Sequence, residues 1–571
     1  MSLQHGTSAR LLPFLRWRHE LSIDTLRADL LAGLTVALLM IPQSLAYAQL
    51  AGLPAYYGLY ASLLPTMVGA LFGSLAQLST GPTPLTGLLT AASVMTLATP
   101  GSDEFIAIVV LLALLAGLVQ LSLGALRLGW ILNLLSHPVL MGFINAAALL
   151  ICLSQLPALL GLSMPHGPHF LLNVAGFLGR LDELRVAPAA FGLGALAILL
   201  ILRWLAPRLP GVLLVIAGSI GISASLGAAD AGVQVVGAIP AGLPHFAIPE
   251  LRWHIVVDLL PTAFVIALVG FMEVASNAKL ISARTHQPWN ENQELIGQGM
   301  AKVAAAISGT QPVSASFSRS AVNFSAGART GLSSVFTALF VLLTLLFFTP
   351  TLWHLPVAAL AAVIMQAVGG LLDFGALKRA WRASRDDGIA AAATFVATLL
   401  FAPNIQNGIL TGLLLSLAIY LYRDMRPRIA LLGLHEDGTY RDAQRFGLAH
   451  PHPGLVILRF DGALHFINAA SFEDAVLRVA ISHPEVKIVL ISGAGINSID
   501  ASGLEVLDRL LHRTGAGGMT LAFCGLKKQV IDRLEATGIW PEIEERAGYR
   551  NEHLALEALL PALDKPEENR L

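Results

Sequence analysis

The chain has 571 residues and a formal net charge of −1 at pH 7, from 36 Lys+Arg and 37 Asp+Glu. Hydrophobic residues make up 55% of it and charged residues only 13%, whereas globular chains carry about 25% charged residues. Of the 73 charged residues, 34 lie in the last 141 positions. This composition excludes a single soluble enzyme and a broad basic surface for nucleic acid, and it predicts a membrane part followed by a soluble part.

The N-terminal segment, residues 1–28, is basic and lacks the short apolar core and cleavage site of a signal peptide. We therefore expect the first hydrophobic segment to be a membrane span. Apolar runs of roughly 20 residues, the length that crosses a bilayer, then recur as far as Tyr422. They predict a transmembrane domain of about 14 helices over residues 29–425.

Positively charged residues fall on one side of the membrane if the number of spans is even. They precede the first span, lie at the ends of the fourth, sixth, eighth and twelfth, and follow the last; examples are Arg10, Arg127, Arg203, Arg208, Lys279, Lys378, Arg379, Arg382, Arg385 and Arg426. Because Lys and Arg are enriched in cytoplasmic loops, both termini are predicted to be cytoplasmic.

From residue 454 the pattern changes to alternating strands and helices. LVILRF, VKIVLISGAG and MTLAFCGL are predicted strands, and ASGLEVLDRLLHRT and KKQVIDRLEAT are predicted helices. This alternation indicates a small α/β domain over residues 454–562. We expect a linker at 426–453 before it and a short tail at 563–571 after it.

Two polar interruptions break the apolar pattern at equivalent places, if seven spans are repeated. QLSTGPTPLTG (residues 77–87) opens the third span and GTQPVSASFSRSAVN (residues 309–323) opens the tenth, and each precedes a shortened helix. Paired interruptions of this kind point to the midplane site of a transporter, where two helix N-termini would attract an anion. The alternative is a pair of proline-containing loops at the membrane surface.

Charged side chains inside the spans strengthen the anion hypothesis. Arg319 lies at the start of the second short helix, where both the helix dipole and burial disfavour a cation. A bound anion would offset both costs; an ion pair with Glu273 and snorkelling to the interface are the alternatives. Glu273 lies deep in the eighth span, with Asn277 one turn further on the same face, and is a candidate for coupling to a proton or to sodium.

The first span contributes two further polar residues. Gln43 and Tyr47 lie four residues apart after Pro42, which would disturb the helix. They would either face a cavity or hydrogen-bond to a neighbouring helix, and the pattern alone leaves both interpretations open.

The soluble part shows no motif for catalysis. Asp500 and Ser502 lie at a strand-to-helix junction, where an aspartate is a good helix N-cap. Motifs for nucleotide binding, zinc binding or a nucleophile are absent from the sequence, and Cys152 and Cys524 lie in different parts of the chain. We expect no enzyme activity, no cofactor and no metal, apart from sodium at Glu273.

Long motifs in a fixed order resemble the sulfate permease (SulP) family of anion transporters. They are LAGLTVALLMIPQSLAYAQLAGLPAYYGLY, LSTGP, ELIGQGMA and FSRSAVNFSAGART, and the later ISGAGINSIDASGLEVL resembles that family's cytoplasmic STAS domain. The resemblance covers about residues 29–560. It implies an inverted repeat of seven plus seven spans, forming core and gate domains, in a homodimer with an anion site between the third and tenth helices.

The resemblance also implies roles for individual residues. The anion-binding positions are Gln43, Tyr47, Thr83, Ser318 and Arg319; the cation-coupling positions are Glu273 and Asn277; and Ser502 matches a serine that is phosphorylated in STAS relatives that regulate sigma factors. The sequence departs from the family in two places. Gln43 replaces a glutamate of some bacterial members, which leaves Glu273 as the leading coupling residue, and Pro84 replaces a small residue.

We therefore predict a secondary transporter of a small anion, with sulfate slightly favoured over bicarbonate and dicarboxylates. It would work by an elevator-like motion, coupled to a proton or sodium, in the inner (plasma) membrane, with the STAS domain open to a cytoplasmic protein partner. Four rivals stay open: a channel of the same architecture, an uncoupled exchanger, a nucleobase carrier of the same fold, and a membrane-anchored signalling scaffold whose STAS domain is the active part.

Overall fold

The computed structural model describes residues 13–163, 170–206, 209–240, 242–244, 246, 251–285 and 287–563. The chain divides into two compact units, Met1–Ser416 and Leu417–Leu571. The division falls earlier than the predicted domain boundary after residue 425. Arg10, Arg208 and residues 564–571 of the predicted tail lie outside the described residues.

The first unit consists almost entirely of helices. They are α1 (Ile23–Leu50), α2 (Tyr56–Ala61), α3 (Leu64–Phe72), α4 (Pro84–Val94), α5 (Asp103–Ala125), α6 (His137–Leu160), α7 (Phe170–Leu178), α8 (Val186–Leu205), α9 (Gly211–Leu226), α10 (Trp253–Thr285), α11 (Glu291–Ile307), α12 (Phe317–Ser325), α13 (Leu332–Phe347), α14 (Thr349–Leu352), α15 (Val357–Gly369), α16 (Phe374–Ala383), α17 (Arg385–Leu400) and α18 (Gln406–Met425). The boundary between the two units falls inside α18. Two short strands, β1 (Thr80–Gly81) and β2 (Ser314–Ala315), interrupt the helices, and short 3₁₀ helices lie at Pro13–His19, Gly129–Leu134 and Leu181–Glu183.

Among the described residues, seven stretches are helical, long and apolar enough to cross a membrane: α1, α5, α6, α8, α10, α15 together with α16, and α18. Three shorter helices, α4, α9 and α13, are also apolar. The prediction of a helical membrane unit is confirmed. The total of 14 spans and their inverted repeat remain predictions.

The first long helix begins earlier than the sequence pattern predicts. It starts at Ile23, so that Asp29, the expected first residue of the span, lies inside it and is fully buried. The Asp29 carboxylate accepts hydrogen bonds from the backbone N–H groups of Arg329 (2.7 Å) and Thr330 (3.1 Å) and from the Thr330 hydroxyl (2.6 Å). This buried acid therefore joins α1 to the chain just before α13.

Glycines bring α5 and α11 unusually close together. A Cβ added to Gly299 would lie 2.8 Å from the backbone nitrogen of Leu121, and one added to Gly117 would lie 2.9 Å from the backbone nitrogen of Val303. Small residues let two membrane helices pack backbone to backbone in this way. The close crossing fixes which α11 side chains face α5.

The second unit is a five-stranded sheet covered by helices. Its strands are β3 (Arg428–Leu434), β4 (Tyr440–Asp442), β5 (Leu455–Asp461), β6 (Ile488–Ser492) and β7 (Thr520–Cys524), and its helices are α19 (Ala443–Phe446), α20 (Ala469–Ser482), α21 (Ala501–Ala516), α22 (Lys528–Ala536), α23 (Trp540–Ala547) and α24 (Glu552–Leu563), with a 3₁₀ turn at Gly493–Gly495. The strand order is β4-β3-β5-β6-β7. Strands β5, β6 and β7 are parallel, and β3 runs antiparallel to β5.

Alternating residues of the central strands face two hydrophobic cores, as the period of a strand requires. Leu458 and Phe460 of β5 pack in a core with Phe472 of α20. Ile457 points the other way and packs with Ala555 of α24. The predicted strands and helices of the α/β domain are all present, with ends shifted by a few residues.

The predicted linker at 426–453 is wrong for about half of its length, where the structure has regular elements. Residues 428–434 and 440–442 form β3 and β4, and β3 pairs with β5 from Arg428 opposite Asp461 to Leu432 opposite Ile457. The Arg428 guanidinium also bonds to the Asp442 carboxylate at 2.6 Å. The segment RIALLGL is therefore part of the sheet rather than a connection to it.

Candidate functional site

The two polar interruptions of the sequence meet in the structure. They form a two-stranded antiparallel ribbon of β1 (Thr80–Gly81) and β2 (Ser314–Ala315), with Gly81 opposite Ser314. The backbone N–H of Ser316 donates to the carbonyl of Ser79 at 3.0 Å, and the N–H of Ser79 donates to the Ser320 hydroxyl at 2.9 Å. The starts of α4 and α12 are therefore anchored to one pair of strands.

The two helix starts differ in how they are capped. Thr83 is the N-cap of α4; it is fully buried, and its hydroxyl accepts from the N–H of Thr86 at 3.4 Å. Ser316 precedes α12 and makes no such side-chain cap, and its hydroxyl lies 3.3 Å from that of Ser318, which is exposed. Because the first N–H groups of a helix lack intrahelical partners, the start of α12 can receive an acceptor from outside the helix.

Arg319, in the first turn of α12, is fully buried. Its Nη1 donates to Oε1 of Gln43 over a long 3.5 Å, and its Nε and Nη2 have no hydrogen-bond partner within the described part of the chain. The guanidinium lies against β1: a Cβ on Gly81 would be 3.2 Å from Nη2. A buried cation with unpartnered donors is costly, and an anionic acceptor would satisfy it.

The predicted contacts of the first span lie beside this arginine. Gln43 and Tyr47 occupy successive turns of α1 and are 7% and 3% exposed. Tyr47 is within electrostatic range of both Arg319 and Glu273. The structure thus brings together four predicted residues from α1, α10 and α12, and the bond from Arg319 to Gln43 is a contact between neighbouring helices, one of the two interpretations that the sequence left open.

The acidic residue of α10 faces the same region. The Ser314 hydroxyl donates to the carbonyl of Gly270 at 3.1 Å, which holds α10 against β2 one turn before Glu273. Oε2 of Glu273 and Nδ2 of Asn277 are both buried without a hydrogen-bond partner in the described structure. Glu273 is within electrostatic range of Arg319, so the carboxylate and the guanidinium belong to one charged cluster.

A residue that the sequence analysis missed completes the cluster. Lys302 of α11 is fully buried, and its Nζ donates to Oε1 of Gln120 on α5 at 2.8 Å. It is within electrostatic range of Glu273. The cluster therefore contains two basic side chains, Arg319 and Lys302, and one acidic side chain, Glu273. A lysine in the apolar stretch of the ninth span was the available signal, since charges in such stretches face the interior of a helix bundle.

Ser502 lies in the second unit, far along the chain from these residues. It is half-buried in the first turn of α21, beside the N-cap Asp500. The Asp500 carboxylate accepts from the N–H groups of Gly503 and Phe466, each at 2.8 Å, which confirms the N-cap interpretation. Burial alone would raise the pKa of Asp500, but these hydrogen bonds outweigh it and hold the pKa below its usual range. A regulatory role for Ser502 remains a prediction.

Two family models match the chain. Residues 26–394 match the sulfate permease family, and residues 449–555 match the STAS domain. A probable sulfate transporter of Mycobacterium tuberculosis is 33% identical over 547 residues, covering 94% of this chain and 96% of the relative. Probable sulfate transporter 4.2 of Arabidopsis thaliana is 32% identical over 559 residues, covering 95% of this chain and 82% of the relative.

Solved structures with the same fold include two transport proteins. The murine Solute Carrier 26 family member A9 anion transporter, in its inward-facing state, superposes with a TM-score of 0.89 at 22% identity, covering 98% of this chain and 96% of that one. The transmembrane domain of a cyanobacterium bicarbonate transporter, BicA, gives a TM-score of 0.61 at 24% identity, covering 69% of this chain and 98% of that domain. The chain therefore belongs to the sulfate permease family of membrane anion transporters and carries a STAS domain in its C-terminal part.

Proposed function

We propose that this protein is a secondary transporter that carries sulfate, or another small oxyanion of the bicarbonate or dicarboxylate class, across a membrane. The observation that carries the proposal is Arg319: a fully buried guanidinium at the start of a short helix, with two nitrogens that have no partner in the part of the chain that the structure describes. Three relatives of the chain that are named sulfate transporters make sulfate the first substrate to test.

The surroundings of Arg319 suit an oxyanion on three sides. The start of α12 offers N–H groups and the positive end of the helix dipole. Gln43 and Tyr47 supply an amide and a phenol from α1, and Gly81, which has no Cβ, lets the Arg319 guanidinium lie against β1. Charge-assisted hydrogen bonds from a guanidinium to an oxyanion are about twice as strong as neutral ones, so Arg319 would supply most of the binding energy.

Coupling is assigned to Glu273. Among the described residues, one buried oxygen of its carboxylate has no hydrogen-bond partner, and Arg319 lies within electrostatic range, so occupancy by a proton or cation there would change the affinity for an anion at Arg319. The amide nitrogen of Asn277, one turn away, has no partner among the described residues and would orient the carboxylate. Transport would follow from a rigid-body, elevator-like movement of the helices that carry this site against the others.

The proposal also covers the membrane, the topology and the oligomeric state of the protein. We place it in the plasma membrane with both termini in the cytoplasm, as a homodimer whose STAS domain is accessible to a cytoplasmic protein. Crosslinking in native membranes, with protease accessibility of the STAS domain from each side, tests these points. A monomer, or a STAS domain cleaved only from outside intact cells, would contradict them.

Uptake of radiolabelled sulfate into proteoliposomes that contain the purified protein tests the function. We expect saturable uptake that unlabelled sulfate abolishes, with bicarbonate, oxalate and chloride added as competitors to rank the substrates. The Glu273→Gln variant should lose gradient-driven accumulation while still exchanging sulfate. No saturable binding or uptake of any of these anions would contradict the proposal, and unitary currents in planar bilayers would assign a channel instead.

A further inference from the structure

Helix α16 (Phe374–Ala383) lies between two hydrophobic helices, and none of its ten residues is buried. The preceding helix α15 and the following helix α17 correspond to two successive predicted spans, so we expect the chain between them at a membrane surface. The short helix carries aromatic and basic side chains that the proposed anion site does not use. Their arrangement indicates what this surface binds.

Two large aromatic side chains of α16 are more than half exposed, Phe374 by 54% and Trp381 by 52%. Each is supported on one side by α17. The ring of Phe374 meets the edge of the Phe395 ring, with 6.2 Å between centroids, and Gly388 leaves room for the ring of Trp381. The remaining aromatic surface would be unfavourable in water, whereas such rings are enriched where a membrane meets water.

Three cations border these rings. Lys378 and Arg382 lie one turn apart on α16, before and after Trp381, and Arg385 begins α17. All three are exposed, and within the described ranges of the chain they form no ion pair. Residues four apart on a helix lie on the same face, so Lys378 and Arg382 place their charges side by side.

The acids nearby have other roles. Asp373 is the N-cap of α16 and pairs with Arg379, the fourth basic residue of the segment, at 2.7 Å. Asp386 and Asp387 lie half-buried in the first turn of α17, where carboxylates stabilise the positive end of the helix dipole. The charges of the other three basic residues are therefore available to a ligand.

From this arrangement we infer that α16 lies in the membrane interface and that Lys378, Arg382 and Arg385 bind the phosphate groups of anionic phospholipids. Basic residues beside a membrane helix attract anionic headgroups, and aromatic rings on the same short helix enter the boundary between headgroups and acyl chains. A soluble phosphate ion would use the cations and leave the rings exposed. The rings therefore favour a lipid as the occupant.

The bound lipid would act on more than α16, because a buried amide ties the start of this helix to α6. The N–H of Asp373 donates to Oδ1 of Asn145 at 2.8 Å, and Nδ2 of Asn145 donates to the carbonyl of Asp373 at 3.3 Å. Asn145 is fully buried in α6. Lipid binding would thus hold α6 as well as α16 at a fixed depth, whichever anion the protein carries.

The test uses the full-length protein in phosphatidylcholine nanodiscs that contain brominated phosphatidylglycerol or, at the same mole fraction, brominated phosphatidylcholine. Bromine quenches nearby tryptophans, and the signal of Trp381 is the difference between wild type and Trp381→Phe. We expect brominated phosphatidylglycerol to be enriched at Trp381 by about tenfold or more, and about 1 M salt to remove this preference.

Three outcomes of this experiment would overturn the inference. Equal quenching by the two lipids would show that the cations do not select anionic headgroups. Quenching by neither would place α16 outside the interface. Loss of the preference on addition of inorganic phosphate at constant ionic strength would assign a site for a soluble anion instead. Each of these results leaves the proposed transport function untouched.

Variants separate the charges of α16 from the net charge of the protein. Neutralising the three cations together, by Lys378→Gln, Arg382→Gln and Arg385→Gln, should abolish the preference for phosphatidylglycerol. A matched control removes the same charge at three other exposed sites on the same predicted side of the membrane and should keep it: Arg127→Gln, Arg203→Gln and Arg284→Gln.

A charge-preserving variant guards against misfolding. Lys378→Arg with Arg382→Lys and Arg385→Lys should retain the preference for phosphatidylglycerol. If the neutralised variant is folded and still shows that preference, the inference is wrong. If it does not fold, the charge-preserving variant and the lipid and salt comparisons on the wild-type protein decide.

Discussion

The hypothesis of an anion site depends on a few single side chains, and above all on Arg319. Replacing Arg319 by alanine removes the buried guanidinium, including the two nitrogens that have no partner within the described structure. Hydrogen bonds to charged groups contribute about 1.5–3 kcal/mol, so we expect sulfate affinity to fall about tenfold to a hundredfold, measured by calorimetry on the purified protein. Arg329→Ala is the control, since that side chain is exposed and only its backbone is bonded. Equal affinities for wild type and Arg319→Ala would remove the arginine from the site.

The same residues show what sequence reasoning can reach. Arg319 and Glu273 stand out in a linear pattern because a charge within an apolar run needs an energetic explanation. Lys302 met the same criterion and was missed, because its run is short and rich in small residues and resembles a helix end. Its partner Gln120 is 182 positions away, so no spacing rule connects them. Residues that pair across distant helices become visible only when the fold is known.

The packing of helix α5 against helix α11 positions Lys302, and Gly299 determines how closely the two helices approach. An alanine there would place its Cβ 2.8 Å from the backbone nitrogen of Leu121, a contact that only backbone movement relieves. Overpacking of this kind costs about 1–3 kcal/mol, so Gly299→Ala should lower the melting temperature in detergent and weaken anion uptake. Gly218→Ala on α9 meets open space and should change neither. Equal melting temperatures for the two variants would show that the helices are not in contact here.

The cap of α21 allows a prediction about the STAS domain. Asp500 accepts two backbone hydrogen bonds, and loss of an N-cap costs about 0.5–2 kcal/mol. Asp500→Ala should therefore speed hydrogen exchange at the start of α21 at neutral pH, while Asp500→Asn, which keeps an oxygen acceptor, should change it less.

The pH dependence of this effect has a definite sign. The pKa of Asp500 is lower in the folded protein than in the unfolded chain, so its stabilisation is complete above the unfolded value of about 3.9. It is lost as the pH falls through the folded pKa. The difference between wild type and Asp500→Ala should therefore shrink in acid, and a difference that grows in acid would contradict the assignment.

Element boundaries were harder to predict than element types. The parallel strands β5 to β7 are continuous apolar runs, which is typical of strands buried on both faces. RIALLGL in β3 has a similar composition but directly follows a membrane helix, so its local pattern favours a connection. Its position in the sheet depends on antiparallel pairing with β5, and pairing between strands is a tertiary contact that local pattern does not encode.

The whole molecule joins two units built for different solvents. Charged residues are rare in the first unit, and those that are buried, such as Asp29 and Lys302, have specific hydrogen-bond partners. The second unit has ion pairs on exposed helices, such as Lys528 with Asp532. Exposed pairs of this kind contribute little to stability, and they keep a surface compatible with water. The division of charge visible in the sequence thus corresponds to the division of the chain into units.

This division predicts that the transport reaction belongs to the first unit alone. Gln43, Thr83, Glu273, Lys302 and Arg319 all precede residue 417, where the second unit begins. A chain that stops after residue 425 should therefore still bind sulfate and take it up into proteoliposomes. Its affinity should be within about threefold of that of the full chain, and the largest effect expected is a lower maximal rate of uptake. The same truncated chain with Arg319→Ala is the control for specific uptake. If the truncated chain is monodisperse and inserted but binds no sulfate, the STAS domain takes part in the reaction itself. That result would favour a signalling scaffold over a transporter whose membrane unit works alone.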